Sequence, residues 1–292
     1  MAVSNSRVAS NELHEDMFTV GDEVGKGQFG VVHVAMNKST ENLYALKFVE
    51  KKSLSKLPAW NQFKNEISIQ KGLSHENVLG LLGHYETKEH MVLVLEFGLH
   101  GTMYDLLESM KDHKLTETIA ARYTRQVSNG LDYCHTKDII HRDLKLENVI
   151  LDGNLTAKLS DFGLSAFGKS TRETRCGTLD YLSPEVILDI PHNAYVDSWA
   201  LGVMLYELTV GRPPFLKKGA TSMLAITKVD YTIPDFLSTE VKHLIDGLLQ
   251  LEPKHRFNMF QVSRHLWIQK HSKIETAEWD EFIADLEKSK KI

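Results

Sequence analysis

Between residues 18 and 97 the apolar positions fall in short alternating runs, FTVGDEV, VVHVAM, LYALKFVE, LLGHYE and MVLVLEF, and each run predicts a strand. One stretch departs from this period. Over residues 60–73 the spacing lengthens to that of a helix, with Phe63, Ile67 and Gln70 on one face and Glu66 on the adjoining turn. Past Gly101 helical spacing dominates. In TETIAARYTRQVSNGLDYCH the apolar positions Ile119, Tyr123, Val127, Leu131 and Cys134 follow Thr116, a residue suited to cap the helix. AYVDSWALGVMLYELTVG is apolar nearly all round and predicts a buried central helix. ETAEWDEFIADLEKSKKI sets Trp279, Phe282, Ile283 and Leu286 at i, i+3, i+4 and i+7, an amphipathic helix that covers either its own domain or a partner. The whole pattern is α+β. A small β-rich part meets a larger helical part near residues 97–101, with no repeat or low-complexity tract.

Composition narrows the function classes. The 292 residues are 42% hydrophobic and 25% charged, as in an ordinary globular protein, and the net charge of −5 argues against general nucleic-acid binding. Cys134 and Cys176 are too few for a disulfide framework, so a reducing, intracellular setting is expected. The first 17 residues lack the apolar core of a signal peptide. No segment approaches the roughly 18 apolar residues of a membrane span, so no membrane partner is expected.

Three stretches carry chemistry. GKGQFGVV, residues 25–32, places glycines at 25, 27 and 30; a dinucleotide fold needs a helix directly after them, whereas VVHVAM reads as a strand. That leaves a hairpin folded over phosphates or a plain turn. In YALKFVE, alternation puts Lys47 on the face of Ala45 and Val49. An inward lysine needs an anion, which Glu66 on the next helix could supply; an exposed strand lysine is the alternative. HRDLKLEN, residues 141–148, followed by DFG at 161–163, is the decisive stretch. Phosphoryl transfer needs a carboxylate to orient the attacking hydroxyl, cations for the travelling phosphate and hard oxygen ligands for Mg²⁺, and Asp143, Lys145, Asn148 and Asp161 supply those parts.

In this order, glycine loop, strand lysine, helix glutamate, HRDxKxxN and DFG make residues 18–268 resemble a eukaryotic protein kinase. The resemblance implies a bilobal fold: an N-lobe over 18–98 with one regulatory helix and a mainly helical C-lobe over 99–268. An extension at 1–17 and a tail at 269–292 flank them. It implies ATP and Mg²⁺ as cofactors. Carried over by position, Val24, Val32 and Ala45 roof the adenine and Ile150 floors it. Leu95 is the gatekeeper before a hinge at 96–98 that includes Glu96 and Gly98. Gly25, Gly27 and Gly30 cover the phosphates, and Lys47, held by Glu66, reaches them. Asn148 and Asp161 hold the metal, Asp143 orients the substrate hydroxyl and Lys145 steadies the γ-phosphate. SPE at 183–185 stands where the family has APE; Glu185 is implied to pair with Arg256. Asp197, with Gly202 on the central helix, is implied to brace the catalytic loop.

Lys145 two residues after Asp143, with Thr178 in CGT, is similar to serine/threonine kinases, so the acceptor is an aliphatic hydroxyl. Glu147 and Glu207 match the positions with which basophilic kinases hold an arginine two residues before the acceptor. Pairs of this kind contribute about 1.5–3 kcal/mol each. Either glutamate alone would also fit a solvated or capping carboxylate. RCGTLDYLSPE, LEFGLHGTMY and NEISIQKGLSHENVLGLLG resemble Aurora kinases, with Polo-like and calcium/calmodulin-type kinases as neighbours. That family implies mitotic work in the nucleus, at the centromere or spindle or on the cytoskeleton, protein substrates, and an activating partner of the inner-centromere-protein type.

Thr174, between Arg172 and Arg175, is then the expected activating phosphosite. A phosphate carries about −1.5 to −2 charges, and Arg142 and Arg172 match two of the residues that hold it in the family. Asn65 stands where a third basic residue is expected, with Lys64 as the alternative cation. Moving a loop from 1:99 to 99:1 takes about 5.5 kcal/mol, which two such pairs reach only at their upper limit. Unless Lys64 substitutes, weak coupling of the phosphate to the helix and a stronger need for a partner are expected. Arg172 also lies two residues before Thr174, which suits self-phosphorylation in trans. Cys176 is either an oxidisable or an inert loop thiol. The competing readings are a pseudokinase scaffold, opposed by the full set of polar residues, and a metal hydrolase, opposed because none of the 14 histidines forms an HxxxH or HExxH pair.

Overall fold

A computed structural model of the chain describes residues 13–27, 30–55, 57–167, 178–216, 220–271 and 277–289. The alternating runs form one antiparallel sheet from β1 (Phe18–Gly27), β2 (Gly30–Asn37), β3 (Leu43–Glu50), β4 (Leu81–Glu86) and β5 (His90–Glu96), in the order β1-β2-β3-β5-β4. Period two sorts its side chains onto two faces. Leu46, Val92 and Val94 join Phe18 and Tyr85 on one; Ala45, Val49, Leu93 and Leu95 face Phe63 on the other. Leu13 is also buried in the first cluster, five residues ahead of β1.

The helix α1 (Leu57–Lys71) crosses the second face. It starts three residues before the expected Trp60, because Pro58 is compatible with a first turn, whose N–H groups have no helical partner. It ends two residues before Leu73, where Gly72 and Leu73 turn back to the carbonyls of Ile69 and Gln70. Gln70 is buried and donates to the Leu79 carbonyl at 3.0 Å, while Ile69 reaches the larger helical core.

That core is built around α3 (Glu117–Thr136) and α5 (Tyr195–Val210). α3 starts where expected, with the Thr116 hydroxyl accepting from Ile119 N. α5 is buried nearly all round, as its unbroken apolar sequence predicts. Shorter helices complete it: α2 (Met103–Ser109), α4 (Pro184–Ile187), α6 (Ala220–Lys228), α7 (Thr239–Leu248), α8 (Met259–Ser263) and α9 (Leu266–His271). The Glu117 carboxylate accepts from Ser238 Oγ at 2.6 Å and Trp267 Nε1 at 2.7 Å, which fixes the first turn of α3 to the starts of α7 and α9. Cys134, on the inner face of α3, is fully buried, and burial pushes its thiol up to about 12. Two small ladders, β6 (Ile139–Ile140) with β9 (Ala166–Phe167) and β7 (Val149–Leu151) with β8 (Ala157–Leu159), carry the loops of the site.

The last helix, α10 (Ala277–Ser289), lies against its own domain. Trp279 and Leu286 are buried in the main core, Tyr123 meets Trp279 edge-on, and the Arg122 guanidinium sits 3.8 Å from the Trp279 ring centroid. Of the two readings of this amphipathic stretch, the structure shows the first. No described helix is long and apolar enough to cross a membrane. A β-sheet lobe with one crossing helix and a helical lobe form the bilobal α+β fold expected from the sequence.

Candidate active site

Strand β3 carries Lys47 between Val32 of β2 and Leu93 of β5, with its side chain only 8% exposed. An ammonium in such a place needs compensation. Glu66 of α1 provides it: Nζ donates to Oε1 at 2.7 Å, and Asp161 Oδ1 lies 3.8 Å away. Burial pulls the Lys47 ammonium down, but the Glu66 and Asp161 carboxylates outweigh it and the net direction is upward. The alternative of an exposed strand lysine does not hold.

Asp161 itself sits in the left-handed region, φ 58° and ψ 75°, and caps a turn by accepting from Gly163 N. That turn places Phe162 in the core beneath α1, edge-on to His141 with centroids 5.0 Å apart. His141 is fully buried. Its Nδ1 accepts from Asp143 N at 3.3 Å, which leaves Nε2 to donate to the Ser160 carbonyl at 3.0 Å.

The loop after β6 is held from below. Asp197, fully buried at the start of α5, accepts from His135 Nε2 at 2.7 Å, His141 N at 2.9 Å and Arg142 N at 2.8 Å. Burial alone would push its carboxyl up; His135, then His141 and Arg142, hold it below its usual value. Thus braced, the loop presents Asp143, whose Oδ2 receives Asn148 Nδ2 at 2.8 Å and lies 3.3 Å from Lys145 Nζ. Lys145 also donates to Thr178 Oγ1 at 3.1 Å. Asp143, Lys145, Asn148 and Thr178 are therefore one connected group.

Between the lobes, Ala45 and Leu95 are buried, Val32 and Ile150 half-buried, and Val24 exposed at the lip. A Cβ on Gly98 would lie 2.0 Å from Ile150 Cγ2, so any larger residue in the connecting segment would force Ile150 to shift. Gly25 and Gly27 pair with Val32 and Gly30 at the end of the β1–β2 hairpin. Gly30 has a packing role besides any contact with phosphate, since its Cβ would strike the Phe48 carbonyl at 1.9 Å. Glu96 turns inward, 3.1 Å from Lys158 Nζ. Lys158 was not singled out from the sequence; a lysine in the short apolar strand AKL was its only signal.

Acidic side chains also gather around Tyr181, with Glu147 exposed. Tyr181 donates to Glu207 Oε2, and burial pushes the Glu207 carboxyl up to about 7, with Tyr181 opposing and Glu147, Asp180 and Glu108 adding to the rise. The sequence named Glu147 and Glu207 but not Tyr181, whose link to Glu207 has no local pattern. Glu185 and Arg256, far apart in sequence, form a buried two-pronged pair at 2.6 and 2.7 Å. Arg172, Thr174 and Cys176 lie outside the described residues.

The model of the family described as protein kinase domain matches residues 18–268. An Aurora kinase of Yarrowia lipolytica is 42% identical over 256 residues, 87% of this chain and 68% of that protein. One of Schizosaccharomyces pombe is 42% identical over 263 residues, 89% of this chain and 74% of that protein. Aurora kinase C of Mus musculus is 38% identical over 258 residues, 88% of this chain and 93% of that protein. Fold and matching domain together define the class, an ATP-dependent protein kinase. Within that class the chain belongs to the Aurora family of serine/threonine kinases.

Proposed function

We propose that the chain transfers the γ-phosphoryl group of ATP to serine or threonine hydroxyls that follow an arginine by two residues. The supporting observation is the group around Asp143: Lys145 and Asn148 both bear on one of its carboxylate oxygens, and Lys145 reaches across to Thr178. Asp143 orients the acceptor hydroxyl and takes its proton as the new O–P bond forms and ADP departs. Lys145 balances the charge on the transferred group, and Lys47, fixed by Glu66, holds the phosphates of the nucleotide.

The site also suits Mg²⁺. No described cluster of three or more His, Cys, Asp or Glu could cage a metal, but Asp161 and Asn148 offer oxygen donors, and this ion takes one or two protein ligands beside substrate phosphate and water. Asn148 commits its amide nitrogen to Asp143, so its oxygen is the end left for a cation. When bound, the metal neutralises phosphate charge. In the cleft, Val24, Val32 and Ala45 would cover the adenine from above and Ile150 from below, with Leu95, Glu96 and Gly98 along its edge. Gly98→Ala is expected to raise the KM for ATP severalfold by displacing Ile150; initial-rate kinetics would show it, and an unchanged KM would mean that Ile150 yields.

For the substrate arginine, Glu147 and Glu207 are the proposed acceptors, and pH tests Glu207. With the Glu207 carboxyl pushed up to about 7, most of it is protonated at pH 6 and ionised at pH 8. A guanidinium binds the ionised form, so binding releases a proton and tightens as pH rises. The KM for a peptide with arginine two residues before the acceptor should fall up to about tenfold from pH 6 to pH 8. The same peptide with norleucine there should show no such trend; equal profiles would remove Glu207 from the arginine site.

Thr174 is the proposed activating phosphosite, and an inner-centromere-protein-like segment the proposed partner. Centromere or spindle work in mitosis follows from the family resemblance. Mass spectrometry after incubation with Mg·ATP, with Asp143→Asn alongside, tests the phosphosite: phosphate on Thr174 in the parent only would support it, and phosphate elsewhere only would remove it.

A further inference from the structure

Helix α1 is tied to the segment beyond Asp161 by a bond between neutral groups. Asn65 Nδ2 donates to the Ser165 carbonyl at 2.9 Å, joining positions 100 residues apart. Ser165 is 3% exposed and anchored on its other side, its hydroxyl donating to the His141 carbonyl at 3.1 Å. His141 N in turn donates to Asp197. An unbroken run of hydrogen bonds therefore leads from α1 through Ser165 and the catalytic loop to α5. Its first link adjoins Glu66, the residue that fixes Lys47. None of its members belongs to the stretch around Thr174.

We propose that Asn65 is a positioning residue that holds α1 inward through Ser165, so that the Lys47–Glu66 pair forms without a phosphate on Thr174. The carboxamide couples α1 to a backbone carbonyl that is always present, not to a group that must first be added to a side chain. The Ser165 carbonyl accepts only from a donor, so shape without an N–H does not suffice. Asn65→Leu keeps the branched outline and loses the donor. Asn65→Gln keeps the donor on a longer stem. This inference rests on the reading above that Lys47 holds the nucleotide phosphates, but not on Thr174 being the phosphosite.

The test uses the full chain with Thr174→Ala as the parent, and reads the affinity for Mg·ATP by titration calorimetry, the KM for ATP and amide exchange along α1. Asn65→Leu is expected to weaken nucleotide binding and raise the KM for ATP by roughly three- to tenfold, the range spanned by one hydrogen bond. It should speed exchange in α1 with little change in melting temperature, and Asn65→Gln should recover most of the affinity. Affinity and exchange unchanged in Asn65→Leu would overturn the proposal. So would α1 exchange in the Thr174 protein that slows strongly on phosphorylation, because the helix would then depend on the phosphate. If Asn65→Leu proves unstable, Asn65→Gln and the phosphorylation comparison decide. Should Lys47→Met leave nucleotide affinity intact, the reading of Lys47 fails instead, and the exchange data still report on Asn65.

Discussion

Asp143→Asn is expected to lower kcat by about 10²–10⁴-fold, the contribution of a positioned proton acceptor, while the affinity for Mg·ATP changes little. The two halves of this expectation have separate structural origins. The Asp143 carboxylate is bound by Lys145 and Asn148 on one oxygen, and a carboxamide of the same shape fits the braced loop without disturbing the Asp197 bonds to His141 and Arg142. Lys47 and Glu66 belong to β3 and α1 and are untouched by the change. Phosphate transfer to an arginine-containing peptide measures the first half, calorimetric titration with Mg·ATP the second. Full activity in the variant would show that Asp143 does not handle the substrate proton, and loss of nucleotide binding would show that it serves the fold.

The largest expected effect on stability comes from a pair remote from the chemistry. Arg256 gives both ends of its guanidinium to Glu185, donates further to the carbonyls of Tyr195 and Gln250, and lies 5.0 Å from the ring centroid of Trp199. Both side chains are 3% exposed or less. Glu185→Ala strands a buried cation, and breaking such a pair costs about 3–5 kcal/mol. In a chain of this size that corresponds to a fall in Tm on the order of 10 °C, measurable by calorimetry or circular dichroism. Glu185→Gln, which still accepts one hydrogen bond, should fall between. A shift of a degree or two in Glu185→Ala would mean that water reaches Arg256.

What could be read from the sequence follows from how locally each feature is written. The five strands and the inward side of Lys47 depend only on period two, and the Thr116 cap only on its own turn. HRDLKLEN holds Asp143, Lys145 and Asn148 within six residues, so their connection through hydrogen bonds needs no knowledge of the rest of the chain. Other contacts carry no such signal. Ser165 acts through its carbonyl, which every residue has. Tyr181 and Glu207, and Lys158 and Glu96, meet only after β8, α5 and the strands are in place. The start of α1 lies three residues ahead of the expected Trp60, in a first turn that holds Pro58 and that apolar spacing does not mark. Gly30 invited a phosphate reading, although the nearness of β3 alone would require a glycine there.

The burial of Cys134 has a practical consequence. A thiol pushed up to about 12 and buried in the core beneath α3 stays protonated and out of reach at pH 8, and maleimides and iodoacetamides react with thiolates. Since the chain has two cysteines, any dye that attaches to the folded protein marks Cys176, two positions beyond Thr174. A dye carried there would sit beside the proposed phosphosite with no residue engineered in or out.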